Sequence, residues 1–260
     1  MTERTTPIIE ISHLKTHLGK HWVHQDVNLT VNSHEIMGIV GGSGSGKTTL
    51  LRAMLGLLKP TAGSIRLFGC ELLTASAETW LKVQRRWGVL FQQNALFSSL
   101  TVLENVAFPL KEHTDLDLDS INELALLKLL MVGLNRDDAV KYPSELSGGM
   151  QKRAALARAI VLDPELIFLD EPTAGLDPHL ASELDELIIA LRRTMGLTIV
   201  IITHDLDTLW RVTDRVAFLG QGKVLCVDAM DKLVKQPDPT IHAFFSGARG
   251  RVAEANHNCE

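Results

Sequence analysis

The run Gly41-Gly-Ser-Gly-Ser-Gly-Lys47-Thr48-Thr49 constrains this chain more than any other stretch of it. It follows the apolar segment Ile36-Met-Gly-Ile-Val40 and leads into Leu50-Leu-Arg-Ala-Met-Leu-Gly-Leu-Leu58. Strand, glycine loop and helix in that order is the setting of a phosphate-binding loop. Gly41 and Gly46 bracket a loop that also holds Gly42, Ser43, Gly44 and Ser45. Its glycines let backbone N–H groups converge on phosphate oxygens without Cβ interference. The helix then points its positive N-terminal end at the same anion. Lys47 has the length to reach β- and γ-phosphates, and the Thr48 hydroxyl is placed to ligate Mg²⁺, with Thr49 beside it. The plainer alternative is a flexible glycine turn, which explains neither the Lys-Thr pair nor both flanks. The expectation is a protein that binds a nucleoside triphosphate.

The remaining bounds are broad. At 260 residues the chain has room for one large domain, or a core domain with an inserted subdomain. A net charge of −5 gives no global basic field, so nucleic acid is not an expected partner. Met1–Pro7 is polar with no apolar run behind it, so no signal peptide is expected. Apolar runs such as Leu197-Thr-Ile-Val-Ile-Ile202 are of strand length and too short to span a bilayer. A soluble chain follows, peripheral if it serves a membrane process. Cys70, Cys226 and Cys259 form no Cys-x-x-Cys pair and read as reduced thiols.

Ile8–Ser12, Val23–Val31 and Ser64–Gly69 alternate apolar and polar residues, which predicts a small antiparallel sheet beside the glycine loop. The helix after that loop is expected to stop at Pro60, before a turn at Thr61-Ala-Gly63. Ile36–Val40, Leu166–Leu169 and Thr198–Ile202 are continuously apolar, the mark of parallel strands covered by helices on both faces. Between about residues 92 and 162 helical periodicity takes over, which predicts a helical subdomain inserted in an α/β core. The acidic stretch His113–Ser120 lacks the spacing of a calcium loop and reads as a solvated approach to a helix. Residues 1–247 then form the domain, and 248–260 a polar tail.

Leu166-Ile-Phe-Leu-Asp170-Glu171 is an apolar strand ending in two carboxylates. Such an ending places Asp170 at the C-terminal edge of a parallel sheet, where ligands bind. Asp170 suits the hydration shell of Mg²⁺, and Glu171 the polarisation of an attacking water. Ser147, in Leu146-Ser-Gly-Gly-Met-Gln151, reads as the N-cap of a strong helix whose exposed N–H groups suit an anion.

The glycine loop, Leu146-Ser-Gly-Gly149, Leu169-Asp-Glu171, Ala174-Gly-Leu-Asp177 and Thr203-His-Asp205, in that order and spacing, resemble the nucleotide-binding subunit of ABC transporters over nearly the whole chain. The resemblance implies an ATPase of the P-loop ABC fold, with a mostly parallel RecA-like core sheet, an antiparallel β subdomain and the helical insertion. It implies that Gln92 touches Mg²⁺ and links the site to a transmembrane permease. Ser147 and Gly149 would bind the γ-phosphate held by a second copy in a head-to-tail dimer around two ATP molecules. Asp177 would cross that interface, and His204 would contact the γ-phosphate and attacking water. The family's adenine-stacking aromatic falls near Leu18, where this chain has none; Trp22 or His21 are substitutes, against Trp22 simply packing in the small sheet.

Phe91-Gln-Gln-Asn-Ala-Leu-Phe97, Thr101–Leu110, Lys111–Thr114, Met150 and Asp238–Gly247 are similar to a narrower group, the ATPases of bacterial MCE-type (Mla) lipid transporters, which maintain outer-membrane lipid asymmetry. That likeness implies phospholipid cargo, an MCE-domain lipid-binding subunit as a further partner, and a place at the cytoplasmic face of the inner membrane. Phe97, Val102 and Phe108 would offer a groove to a permease helix, or else pack in the insertion.

Overall fold

The phosphate-loop segment is built as its sequence predicts in a computed structural model that describes residues 7–246. The tail 248–260, with Cys259, lies outside the described residues. Among the described residues, contacts give two units, residues 7–83 with 198–246, and residues 84–197.

In the first unit, β1 (Pro7–Leu18) and β2 (His21–Asn32) make a long antiparallel hairpin. β3 (Ile36–Val40) leads through the glycine loop into α1 (Lys47–Met54). β4 (Ala62–Leu67) pairs antiparallel with the other edge of β1, and the short β5 (Cys70–Glu71) with β4. α2 spans Ala77–Gln84. β3 is flanked by two parallel partners, β8 (Thr198–Ile202) and β9 (Arg215–Gly220), and β10 (Lys223–Asp228) returns antiparallel to β9. All five residues of β3 and of β8 are buried, as strands covered on both faces should be. α8 (Leu206–Val212), α9 (Met230–Leu233) and α10 (Pro239–Phe245) supply Leu209, Leu233, Ile241 and Phe245 to a cluster around Val40 and Phe218. The Phe218 ring meets Phe244 edge-on at 5.4 Å. Burial of each large apolar side chain there stabilises by about 1.5–3 kcal/mol.

Two local expectations are corrected. β1 runs to Leu18, six residues past the predicted end at Ser12, and β2 begins at His21, two residues before the predicted start. A polar residue at an inward position, Thr16, hid the continuation of β1, and several register shifts break the alternation of the hairpin. α1 stops at Met54, well before Pro60, and Gly63 lies inside β4 rather than in a turn.

In the second unit, β6 (Trp87–Leu90) runs parallel to β7 (Leu166–Asp170), with Trp87 opposite Leu166 and Leu90 opposite Leu169. Between them lie only helices among the described residues: α3 (Val102–His113), α4 (Leu118–Met131), α5 (Arg136–Ala139), a single 3₁₀ turn at Pro143–Glu145, and α6 (Gly148–Ala159). α7 (Pro178–Met195) follows β7. Thr101 and Glu104 close a reciprocal capping box at the start of α3. The acidic approach to α4 resolves as a cap, with Asp117 accepting from the Ser120 N–H at 2.9 Å. Those hydrogen bonds, from the Ser120 backbone first, hold the Asp117 carboxyl below its usual range. Among the described residues no His, Cys, Asp and Glu cluster is grouped to hold a metal, and no helix is long and apolar enough to cross a membrane.

Candidate functional site

The phosphate loop departs from β3 at Gly41. A Cβ there would sit 2.1 Å from the Leu219 carbonyl oxygen, so glycine is required by close approach of β9's backbone. The loop ends at Gly46, whose φ of +102° is left-handed and whose added Cβ would lie 2.7 Å from His24 Nε2. Gly46 is the N-cap of α1 and provides no side-chain cap, so the first-turn N–H groups have no capping side chain competing with an anion. Lys47 folds back over the loop, its Nζ donating to the carbonyls of Gly41 at 2.8 Å and Gly42 at 3.1 Å. Ser45 Oγ is buried and has no hydrogen-bond partner. Ser43 and Thr48 are exposed, and Thr49 is partly buried. An uncapped helix start, a mobile-length ammonium and an orphaned buried hydroxyl together suit a triphosphate. His204 is exposed in the turn between β8 and α8, where Asp205 caps the helix through the Asp207 N–H at 3.1 Å.

His24 is the residue of this loop's surroundings that the sequence reading missed. It is fully buried, with Nε2 3.2 Å from the Gly46 carbonyl and Nδ1 3.0 Å from Thr16 Oγ1. A carbonyl only accepts, so Nε2 carries the proton and Nδ1 accepts from the Thr16 hydroxyl. The signal was present as a histidine at an inward position of an alternating strand. Burial lowers its pKa from the ordinary 6.5, outweighing the opposite pull of the Gly46 hydrogen bond. The unfolded chain therefore takes up a proton below that ordinary value while the folded chain does not, and stability falls as pH drops toward the lowered folded pKa. Between about pH 7.5 and about pH 5.5 the wild type is expected to lose more stability than His24→Leu, read as the shift in urea midpoint. Equal losses would remove His24 as a buried neutral group.

In the second unit, Asp170 ends β7 and is buried, and Glu171 follows it in a left-handed conformation with φ of +49°. A non-glycine residue held there is uncommon and carries backbone strain. Gln92 lies exposed in the loop after β6. Ser147 caps α6, its Oγ accepting from the Met150 N–H at 3.3 Å, and Gly149 is buried. Asp177 is the N-cap of α7, with its carboxylate accepting from His179 and Leu180 at 3.0 Å. Two cations of α6, the buried Lys152 and the half-buried Arg158, also went unforeseen, because they sit in an Ala- and Leu-rich helix. Lys152 Nζ donates to the carbonyls of Gln92 and Glu171, and Arg158 to those of Asn94 and Ala95.

Of the apolar groove residues, Val102 is fully buried and belongs to the core, whereas Phe97 and Phe108 are exposed with rings 5.0 Å apart. Asn105 pins the Phe97 backbone from both sides, accepting from its N–H at 2.7 Å and donating to its carbonyl at 3.0 Å. Trp22 does not pack in the sheet. It is 50 % exposed and meets His17 edge-on at 4.8 Å, while Leu18 is exposed beside it.

Residues 24–174 match the ABC transporter family. The chain is 39 % identical to the intermembrane phospholipid transport system ATP-binding protein MlaF of Haemophilus influenzae, over 92 % of this chain and 90 % of that protein. Against MlaF of Escherichia coli K12 the identity is 37 %, over 95 % and 91 %. A protein of Mycobacterium tuberculosis described as a probable ribonucleotide transport ATP-binding protein, mkl, is 38 % identical over 93 % of this chain and 67 % of its own length. Among solved structures, the dimeric bacterial ABC transporter cassette MJ0796 superposes with a TM-score of 0.78 at 31 % identity, covering 85 % of this chain and 98 % of that one. The cassette cbiO1 of Clostridium perfringens, part of the ABC transporter complex cbiONQ, gives 0.80 at 28 % identity, covering 96 % and 98 %.

Proposed function

This chain belongs to the ABC transporter family, and from that premise we propose that it is the ATP-hydrolysing subunit of a bacterial transporter that moves phospholipid between inner and outer membranes. The observation that carries the reading is the likeness to two MlaF proteins along nine-tenths of both partners' lengths. The phosphate loop Gly41–Thr49 holds the triphosphate, with Lys47 neutralising the β- and γ-phosphates. Thr48, Gln92 and Asp170 hold Mg²⁺, which when bound offsets the charge on the phosphate oxygens. Glu171 polarises the attacking water, and His204 contacts the γ-phosphate. Trp22, half-exposed beside His17, takes the adenine contact that Leu18 does not offer.

Two copies act together. Ser147 and Gly149 of one protomer receive the γ-phosphate of its partner, and Asp177 crosses the interface; pairing of two copies is supported by the dimeric state of the similar cassette MJ0796. ATP drives closure because it binds the closed dimer better than the open one. Residues 1–247 act as one ATPase domain with 92–162 as its inserted helical part. The exposed Phe97–Phe108 pair docks a permease helix at the cytoplasmic face of the inner membrane. An MCE-domain subunit completes the complex.

Cargo is the part most open to test, since the mycobacterial relative carries a ribonucleotide description. Tagged chain is extracted gently from native membranes and its associated proteins and lipids are identified by mass spectrometry. Recovery of a permease, an MCE-domain protein and phospholipid is expected. A different permease without lipid would discard the cargo and keep the ATPase; ribosomal or DNA-bound partners with no permease would sink the transport reading.

A further inference from the structure

Lys152 presents an ammonium inside the protein, 4 % exposed, at the second turn of α6. It donates to the Gln92 carbonyl at 2.8 Å and to the Glu171 carbonyl at 3.2 Å. Farther along the same helix Arg158 donates to the Asn94 and Ala95 carbonyls, each at 2.7 Å. The Asn94 amide reaches Gln151, also on α6, at 3.4 Å. The backbone these groups hold is unusual. Asn94, Ala95 and Glu171 all have left-handed φ, at +61°, +51° and +49°. Carbonyls in such turns have no regular ladder to enter, and a buried carbonyl needs a donor. A lysine is an expensive donor to bury, because burial disfavours its charge. Desolvation indeed lowers the Lys152 pKa, with Asp170 and then Glu171 opposing that shift. Two non-glycine turns are thus held in unfavourable conformations by cations from a single helix, the helix that begins at Ser147. Mere filling of that space would be served as well by leucine or methionine.

We propose that Lys152 is a positioning residue that ties the Gln92 loop to the turn at Glu171, so that the Gln92 amide and the Glu171 carboxylate take their working places together. Arg158 holds the far side of the same loop. A displacement of the Gln92 loop by the membrane partner is then passed through Lys152 to the residue that polarises water. The inference rests on the reading of Gln92 as a Mg²⁺ ligand and Glu171 as the water-polarising group. It adds a residue, and a direction of coupling, to that reading.

The test uses the full chain and compares Lys152→Met and Lys152→Gln with the wild type, all normalised to the number of sites that bind ATP without Mg²⁺. Lys152→Met is expected to lower kcat by about 10- to 100-fold and raise the Mg²⁺ concentration for half-maximal turnover, as loss of an outer-shell partner does. Metal-free ATP affinity, set by the phosphate loop, stays within about threefold, well inside the tenfold that 1.4 kcal/mol represents. Lys152→Gln keeps a neutral donor for one carbonyl and should fall between the two; it decides the matter if the methionine variant does not fold. Lys128→Met removes another buried ammonium, paired with Asp163, and should leave the Mg²⁺ requirement unchanged. Wild-type kcat and Mg²⁺ requirement in a folded Lys152 variant would overturn the inference, and so would a parallel loss of metal-free ATP affinity. A wild-type chain that binds but never hydrolyses ATP would instead overturn the ATPase reading beneath it.

Discussion

Lys47→Ala is expected to reduce ATP turnover by about 10²- to 10³-fold, the scale seen when one preorganised charge donor is removed from a transition state. The ammonium lies over the loop, within 3.1 Å of the carbonyls of both Gly41 and Gly42. When a triphosphate is bound, the same group meets oxygens that carry full negative charge, a stronger partner than two neutral carbonyls. Alanine is a better helix former than lysine by a small margin, so α1 should survive the change. The variant should therefore melt close to the wild type while binding ATP weakly and hydrolysing it slowly. Steady-state turnover on purified protein, alongside a thermal melt, separates these effects. Near-normal turnover would refute the phosphate role of Lys47 and with it the reading of the loop.

Glu171→Gln should dissociate binding from chemistry. The amide keeps the shape of the carboxylate but gives up its capacity to accept a proton, a loss of about 10²- to 10⁴-fold for a general base. The backbone carbonyl of Glu171, which accepts from Lys152 at 3.2 Å, is untouched by the substitution. The left-handed turn should therefore persist, and ATP affinity with it. With hydrolysis stalled, the proposed closure around two nucleotides should leave each γ-phosphate bridging one protomer's glycine loop and the other's Ser-Gly-Gly helix start. A dimer that persists only with ATP is the expected product, visible as a shift in size-exclusion elution with light scattering. Undiminished turnover would unseat Glu171 as the water-polarising residue. A variant that binds ATP yet stays monomeric would count against closure of two copies around the nucleotide.

Much of this was legible in sequence because its physics is local. β3, the glycine loop and α1 are contiguous, and each announces itself within a few residues: an apolar run, glycines, then a helix beginning at Lys47. The same holds for β7 ending at Asp170 and for α6 capped by Ser147. The acidic stretch before α4 was legible as the approach to a helix, although its use of Asp117 as the N-cap was not read. Helix ends were less legible. α1 stops short of Pro60, since the chain turns away before it meets the residue that would break it.

The sequence by itself determined that this chain builds a nucleotide-binding α/β protein with a helical stretch between β6 and β7. Motif order, glycine chemistry and apolar runs depend on neighbours a few bonds away. Tertiary structure alone decided which polar residues went inside. His24 on β2 meets Thr16 across the hairpin and Gly46 in the phosphate loop, and Lys152 on α6 reaches the carbonyls of both Gln92 and Glu171. Tertiary structure also separated Val102, buried in the core, from Phe97 and Phe108, left at the surface. Trp22, which suited either environment, was left half-exposed at the hairpin end. Burial of a polar side chain is favourable only when partners from distant segments meet it, and no local pattern encodes where those partners will be.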